Sequence, residues 1–346
     1  MKVLKFGGTS VANSKSLSKV IEILKSQSEP IVVVVSALGG VTDLLLGMLQ
    51  LALERKENFK DNLDEIEKRH LEPIKACIPI QNQSGIISFL KNHLNELESR
   101  LDAIFLLEEV TVKNNATIAS YGEILSSAII QEIFKYNGVA SVLKDARELI
   151  QTESSNNRDI VSEAATTKKI TAYFKENQSK VVLVPGFISS NASGETTTLG
   201  RGGSDYSAAI IANALEAKVL EIWTDVSGMY TAHPKIVAQA KPIKKLKYYE
   251  AMELSHFGAK VIYPPTLQPL VEKNIPIVIK NTFAPEDEGT LIDGNASSEN
   301  GEIVKGISHI DNVALLNLEG SGMIGITGFS KRLFEALSDE DINIIM

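Results

Sequence analysis

Short runs of β-branched residues recur along this chain, each followed by a glycine-bearing turn and then by a stretch whose apolar residues return every three or four positions. A short, continuously apolar run suits a strand covered on both faces, and the wider spacing suits a helix with one buried stripe. By this pattern the strands span residues 2–6, 31–35, 181–184, 218–223 and 276–280, and the helices span 14–25, 42–56, 63–75, 86–107, 121–136 and 205–217. Strands alternating with helices predict an α/β fold around a mostly parallel sheet. At the head of the helix over 205–217, Ser204 or Asp205 is placed to cap the free N–H groups of the first turn.

Several stretches break the pattern. Residues 54–70 carry both charge signs and read as a solvent-facing helical excursion to which no chemistry is assigned. Residues 191–200 read as a turn and short hairpin ahead of a glycine-rich loop, placed to lie over a ligand. From 284 to 301 the composition turns acidic and rich in Ser, Asn, Pro and Gly, which marks a boundary between a unit over 1–295 and a smaller module over 296–346. In that module 312–318 alternates as a strand does, Gly320, Ser321 and Gly322 turn, 330–338 is helical, and 342–346 begins another apolar strand. A β-α-β piece of about fifty residues is short for an independent domain, so we expect a chain cut inside this module or a module completed by a partner chain.

The 346 residues are 44% hydrophobic and 23% charged, with a formal net charge of −8. That balance argues against bulk affinity for nucleic acid while leaving room for a local cationic pocket. The cluster Lys241, Lys244, Lys245 and Lys247 reads as a solvated face. The lone cysteine, Cys77, excludes an internal disulfide and a cysteine-built zinc site, and fits a reducing compartment such as the cytoplasm. No apolar run approaches the roughly 18–20 residues of a membrane span, and the first residues enter a glycine turn without an apolar secretory segment. Neither membrane insertion nor export is expected.

The standard nucleotide signatures are missing: there is no GxxxxGK[ST] loop, and Gly200-Arg201-Gly202-Gly203-Ser204-Asp205 fails GxGxxG at its last position. His70, His93, His233, His256 and His309 show no metal-ligand spacing and read as surface or hydrogen-bonded residues, so no protein-built metal site is expected. Lys5-Phe6-Gly7-Gly8-Thr9-Ser10 places a lysine at a strand end and two glycines in the turn after it. Such a turn suits an anion, because glycines let backbone N–H groups approach oxygen and the next helix presents its positive end. On this motif alone, an ordinary turn beside a surface lysine fits equally well.

Residues 36–43 repeat the arrangement, with Ser36 and Thr42 able to donate hydroxyl hydrogen bonds into the same crevice; Thr42 also reads as a helix cap. Around Arg201 three glycines clear space for a planar fork suited to a carboxylate, and Asp205 suits orienting a lysine or binding an ammonium group. Residues 223–230 close another strand with Tyr230 placed to border an adenine ring, and Phe257-Gly258-Ala259-Lys260 offers a second phosphate-binding lysine.

In this order, KFGGTSV at 5–11, GRGGSDYSAA at 200–209, WTDVSGMYT at 223–231 and FGAKV at 257–261 resemble the aspartokinases of the amino-acid kinase superfamily, along essentially the whole chain. The segment VKGIS at 304–308, with the strand and helix expected after it, resembles the opening of a regulatory ACT domain. Together with IKNTFAPEDEGTLI at 279–292, it is nearest to the aspartokinase portion of bifunctional aspartokinase–homoserine dehydrogenases, whose dehydrogenase portion is absent from these residues. The resemblance implies a three-layer αβα sandwich followed by a partial ferredoxin-like ACT domain. It also implies transfer of the ATP γ-phosphate to the β-carboxylate of L-aspartate, giving 4-phospho-L-aspartate in the first step toward lysine, threonine and methionine.

The same resemblance implies catalytic roles for Lys5, Asp205 and Lys260, and places Lys5, Gly7, Gly8, Thr224, Asp225, Tyr230, Lys235 and Lys260 around ATP, with Mg²⁺ held mainly by the phosphates. Ser36, Thr42, Glu123, Phe187, Arg201 and Asp205 fall around aspartate: Arg201 on a substrate carboxylate, Glu123 on the ammonium, Asp205 orienting Lys5. Glu123 becomes a candidate only through the resemblance; by itself it is one carboxylate on a helix. His233-Pro234-Lys235 stands where family members often carry aspartate and arginine, and Tyr263 stands where histidine is frequent, with no role implied for it. Threonine or lysine is the implied effector if the ACT region is complete, and a homo-oligomer is the implied assembly. The alternatives are a kinase of the same fold with another acceptor (glutamate, N-acetylglutamate, carbamate or UMP) and a catalytically silent amino-acid sensor.

Overall fold

A computed structural model describes residues 1–155, 158–258, 261–295, 304–311, 313–318, 327–340, 342 and 344. They fall into two units, Met1–His309 and Ile310–Met346. The strands of the first unit are β1 (Lys2–Phe6), β2 (Ile31–Val35), β3 (Ser141–Leu143), β4 (Gln151–Ser155), β5 (Arg158–Val161), β6 (Val181–Pro185), β7 (Ile188–Asn191), β8 (Thr196–Thr198), β9 (Leu220–Thr224), β10 (Lys245–Lys247), β11 (Ile277–Asn281) and β12 (Thr290–Asp293). Its helices are α1 (Ser14–Lys25), α2 (Val41–Leu53), α3 (Phe59–Cys77), α4 (Gln83–Leu107), α5 (Val112–Tyr136), α6 (Glu163–Glu176), α7 (Gly203–Ala214), α8 (Tyr248–His256) and α9 (Gln268–Glu272).

Eight strands form the central sheet in the order β10-β12-β11-β9-β1-β2-β6-β3. It is parallel except where β12 runs against β11. Side chains alternate between the faces of a strand, which divides the core in two. Leu4, Phe6, Val33 and Val35 pack into the layer made by α1 to α5. Val3, Val32, Val34, Val182 and Val184 pack into the other, under α7. The result is a three-layer α/β/α sandwich. Lys5, two positions after Val3, takes the Val3 face and therefore points to the α7 side.

The five predicted strands stand within two residues of their expected bounds. A second sheet, β5-β4-β7-β8, contains the hairpin expected over 191–200 as β7 and β8. Three expectations are corrected. The segment 54–70 is no solvent-facing excursion: α3 buries Phe59, Leu63, Ile66 and His70, a single apolar stripe hidden among charged neighbours. Helix α5 begins at Val112 rather than at 121, because the Thr111 side chain accepts the Asn114 N–H and caps it there. Neither Thr42 nor Ser204 nor Asp205 caps a helix; the N-caps of α2 and α7 are Gly40 and Gly202, both in the left-handed region that glycine reaches without steric cost.

In the second unit α10 (Phe329–Asp339) matches the expected helix over 330–338. No strand is seen over 313–318, the described part of the segment expected as one, and Leu315 is 96% exposed. The turn at 320–322 and all of 342–346 except Ile342 and Ile344 lie outside the described residues. No helix among the described residues is long and apolar enough to cross a membrane.

Candidate active site

Open parallel sheets bind ligands beyond the carboxyl ends of their strands, at the point where chain order reverses. Here that point is β1, flanked by β2 on one side and β9 on the other. The sheet ladder runs on into the turns: Gly7 N–H donates to the Trp223 carbonyl at 3.1 Å, Ser36 N–H to the Phe6 carbonyl at 3.2 Å and Gly186 N–H to the Val35 carbonyl at 2.8 Å. Four strand ends therefore present their turns along one edge.

Lys5, at the end of β1, is 8% exposed. Its Nζ stands 2.5 Å from Asp205 Oδ1, in the first turn of α7. The contact is ionic and lacks hydrogen-bond alignment, since Asp205 Oδ1 has no hydrogen-bond partner. A carboxylate in this place draws the ammonium toward α7 and leaves it facing the cleft edge.

Glu123 is reached through its neighbour. A side chain on Gly122 would bring its Cβ to 2.8 Å from the Ala37 Cβ, so only glycine lets α5 lie this close to the turn after β2. At that distance Glu123 Oε1 accepts the Ala37 N–H at 3.1 Å, and Ser126 Oγ donates to the Ser36 carbonyl at 2.9 Å. Glu123 is 3% exposed and its Oε2 has no hydrogen-bond partner. Burial pushes its carboxyl up to about 8, against the opposing pull of the Ala37 N–H and, more weakly, of Lys5. A buried carboxylate oxygen without a partner is unstable until a cation meets it.

These groups line one cleft of about 610 Å³. All six residues expected around aspartate are in its wall: Ser36, Thr42, Glu123, Phe187, Arg201 and Asp205. Lys5 and Gly8 line it too. The Arg201 side chain is exposed to the cleft and has no ion pair or hydrogen bond among the described residues. Phe187 holds a left-handed backbone (φ 63) with its N–H bonded to Ser207 Oγ at 2.9 Å, and strain in a non-glycine residue is a common mark of a functional site.

Of the nucleotide candidates, Lys5 and Gly8 are in this wall, whereas Gly7, Thr224, Asp225, Tyr230 and Lys235 are not. Thr224 ends β9, its Oγ1 donates to Asp225 Oδ1 at 3.2 Å and its carbonyl accepts the Thr282 N–H at 2.8 Å. Tyr230 pairs with Pro242 in an isolated antiparallel bridge, and the Lys235 N–H donates to His233 Nδ1 at 3.2 Å in an exposed turn. Lys260 lies outside the described residues. Sequence reasoning missed Asp43, Asn115 and Thr198, which also line the cleft. Asn115 was invisible because its stretch did not read as helix. It also missed Tyr263, whose ring packs against Gly202, and Lys280, whose ammonium stands 5.0 Å above the Trp223 ring.

Residues 1–281 match the amino acid kinase family and residues 316–346 match an ACT domain. Lysine-sensitive aspartokinase 3 of Escherichia coli is 33% identical over 350 residues, covering 99% of this chain and 74% of that protein. The chain belongs to the aspartokinases of the amino acid kinase family. The crystal structure of the E. coli aspartokinase III in complex with aspartate and ADP superposes with a TM-score of 0.83 at 30% identity, covering 100% of this chain and 76% of that one. A bifunctional aspartokinase/homoserine dehydrogenase of Haemophilus influenzae is 37% identical over 351 residues, and a chloroplastic one of Zea mays is 34% identical over 349. The chain spans 43% of the former and 38% of the latter, less than half of either bifunctional relative.

Proposed function

We propose that this aspartokinase chain transfers the γ-phosphate of ATP to the β-carboxylate of L-aspartate, forming 4-phospho-L-aspartate and ADP as the first step toward lysine, threonine and methionine. The observation that carries this reading is the cleft in which a paired lysine, a buried glutamate with one oxygen left without a partner and an arginine with no ion pair among the described residues meet at the switch point of the sheet. It is the chemistry an amino acid with two carboxylates and one ammonium asks for.

The attacking β-carboxylate has an ordinary pKa of about 3.9 and is ionised at neutral pH, so no general base is needed. The difficulty is to bring it to a polyanion, and phosphoryl transfer is mainly positioning and charge neutralisation. Arg201 binds a substrate carboxylate with its planar fork, while Glu123 Oε2 accepts the substrate ammonium. Those contacts leave the β-carboxylate free toward Lys5. Lys5, oriented by Asp205, offsets the negative charge that builds as the phosphoryl group moves.

The Gly7–Gly8 turn and Lys5 fit ATP phosphates: Lys5 supplies a cation, Gly8 a backbone N–H at the opening of a helical segment, and Gly7, whose own N–H is held by the Trp223 carbonyl, room for close approach. Thr224, Asp225, Tyr230 and Lys235 complete the nucleotide side in this reading, with Lys260 as the second cationic contact. Among the described residues no group of three His, Cys, Asp or Glu stands close enough to hold a metal ion. Mg²⁺ is assigned in this reading mainly to the phosphates, where it would neutralise charge.

The unit over 1–295 is assigned to catalysis and 296–346 to part of an ACT domain. A completed ACT region would take threonine or lysine as effector; one E. coli aspartokinase III structure is described as a complex with lysine and aspartate. A homo-oligomer and the cytoplasm complete the proposal. Hydroxylamine trapping of acyl phosphate, with ADP release measured beside it so that phosphorylation of UMP is also seen, tests it, with ATP and a panel of aspartate, glutamate, N-acetylglutamate, carbamate and UMP. Trapped product with aspartate alone supports the reading. Turnover with another acceptor, or none with any, sinks it in favour of a different kinase or a silent sensor.

A further inference from the structure

We propose that Arg69, on a helix to which the sequence pattern assigned no chemistry, is a positioning residue of the cleft. The inference rests on the reading of that cleft as the aspartate site. Helix α3 is fixed in the core by Phe59, Ile66, His70 and Ile74. From there it sends two side chains to the turns that frame the cleft. Arg69 Nη1 donates to the Gly39 carbonyl at 2.7 Å, while its Nε is held by Glu65 Oε1 at 2.8 Å. One turn of helix onward, Glu72 accepts the Ser14 N–H at 2.9 Å and the Ser14 hydroxyl at 2.5 Å, which ties down the start of α1.

The Gly39 carbonyl belongs to the planar peptide that enters Gly40, the left-handed N-cap of α2 (φ 76). Holding that carbonyl sets the plane of the peptide. It thereby sets where the first turn of α2, with Thr42 and Asp43, stands in the cleft wall. The guanidinium lies so close that a Cβ on Gly40 would fall 2.7 Å from Nη1. The held turn in turn lies against the first one, since a Cβ on Gly8 would be 3.1 Å from the Ala37 carbonyl oxygen and 3.4 Å from Gly39 Cα. Arg69 therefore acts on the aspartate side of the cleft through the backbone, without lining it.

The pairing of Arg69 with Glu65 by itself contributes little to stability. The Arg69 and Glu65 side chains are 36% and 39% exposed, and an exposed pair one helical turn apart contributes little to folding. Function and stability are thus separable. In the full chain, Arg69→Ala should lower kcat/KM for aspartate by about 10- to 100-fold, the scale on which misplacement by about an ångström acts. The KM for ATP should stay within about twofold and Tm near the parental value, and millimolar guanidinium should recover part of the lost rate. Arg69→Lys should fall between, because an ammonium cannot hold Gly39 and Glu65 with one rigid fork. Arg55→Ala, which breaks an exposed pair with Glu108, is the control expected to change nothing.

Parental kinetics in Arg69→Ala would overturn the clamp, as would a loss shared equally by ATP and not recovered by guanidinium. If the parental chain forms no acyl phosphate, the functional reading fails by itself. Amide exchange over residues 36–44 then still tests the clamp: faster exchange in Arg69→Ala supports it and unchanged exchange overturns it.

Discussion

Lys5 Nζ and Asp205 Oδ1 lie 2.5 Å apart across the junction of β1 and α7, an ion pair in which both side chains are largely withdrawn from water. In the proposed reaction the lysine supplies charge and the aspartate supplies its direction. Lys5→Ala should reduce kcat/KM for aspartyl phosphate formation by about 10²- to 10³-fold, the usual effect of removing one preorganised donor. Asp205→Asn keeps the lysine and should cost about tenfold, mostly in kcat. Steady-state kinetics of both variants checks the order; an aspartate variant as impaired as the lysine variant would mean that Asp205 acts on substrate directly.

With Glu123 on the substrate ammonium, as proposed, aspartate binding should depend on pH. In the free site burial holds the Glu123 carboxyl up to about 8. The substrate ammonium selects the ionised form, so aspartate binding at pH 7 should release a proton, and KM for aspartate should rise as pH falls from 8 to 6. Isothermal titration in buffers of different ionisation enthalpy measures the proton directly. Folding has its own sign: a raised native pKa gives stability that is complete below the unfolded value near 4.5 and is lost as pH rises through about 8. Glu123→Gln should remove that slope and weaken aspartate binding. A parental slope in the glutamine variant would assign the titration elsewhere.

Arg201 tests the division of the cleft. Its planar fork suits a carboxylate, and a lysine cannot reproduce two parallel hydrogen bonds. Arg201→Lys should raise KM for aspartate about tenfold while KM for ATP changes by less than about twofold. Equal effects on the two substrates would place Arg201 on the phosphates.

Gly202 tests the loop that carries Arg201. Its φ of 68 is left-handed, and a Cβ there would run into the Tyr263 ring. Gly202→Ala should destabilise the fold by about 1–3 kcal/mol, from strain and overlap together. Pairing it with Tyr263→Gly, which also removes the Tyr263 Cβ that stands 2.4 Å from the added carbon, should recover the overlap and leave the strain. Thermal denaturation of the single and double variants separates the two.

Much of this was legible along the chain. The apolar runs located the five long parallel strands, because a strand covered on both faces must be apolar throughout, and the glycine turns after them marked the edge where Lys5, Ser36 and Arg201 meet. α3 was misread because its buried stripe is narrow and its exposed positions are strongly charged. Asn115 and Tyr263 were missed because their importance depends on what lies across the cleft or against Gly202. Glu123 entered only through family likeness.

The order of strands along the chain and the chemistry of their turns were thus determined by local pattern, through burial on two faces and the freedom of glycine. Only the tertiary structure decided that Asp205 faces Lys5, that Glu123 keeps an oxygen without a partner and that Arg69 grips Gly39. Those facts depend on distances between elements far apart in sequence. They follow from packing, where a missing Cβ at Gly122 lets α5 lie against the turn after β2 and a missing Cβ at Gly40 leaves room for the Arg69 guanidinium.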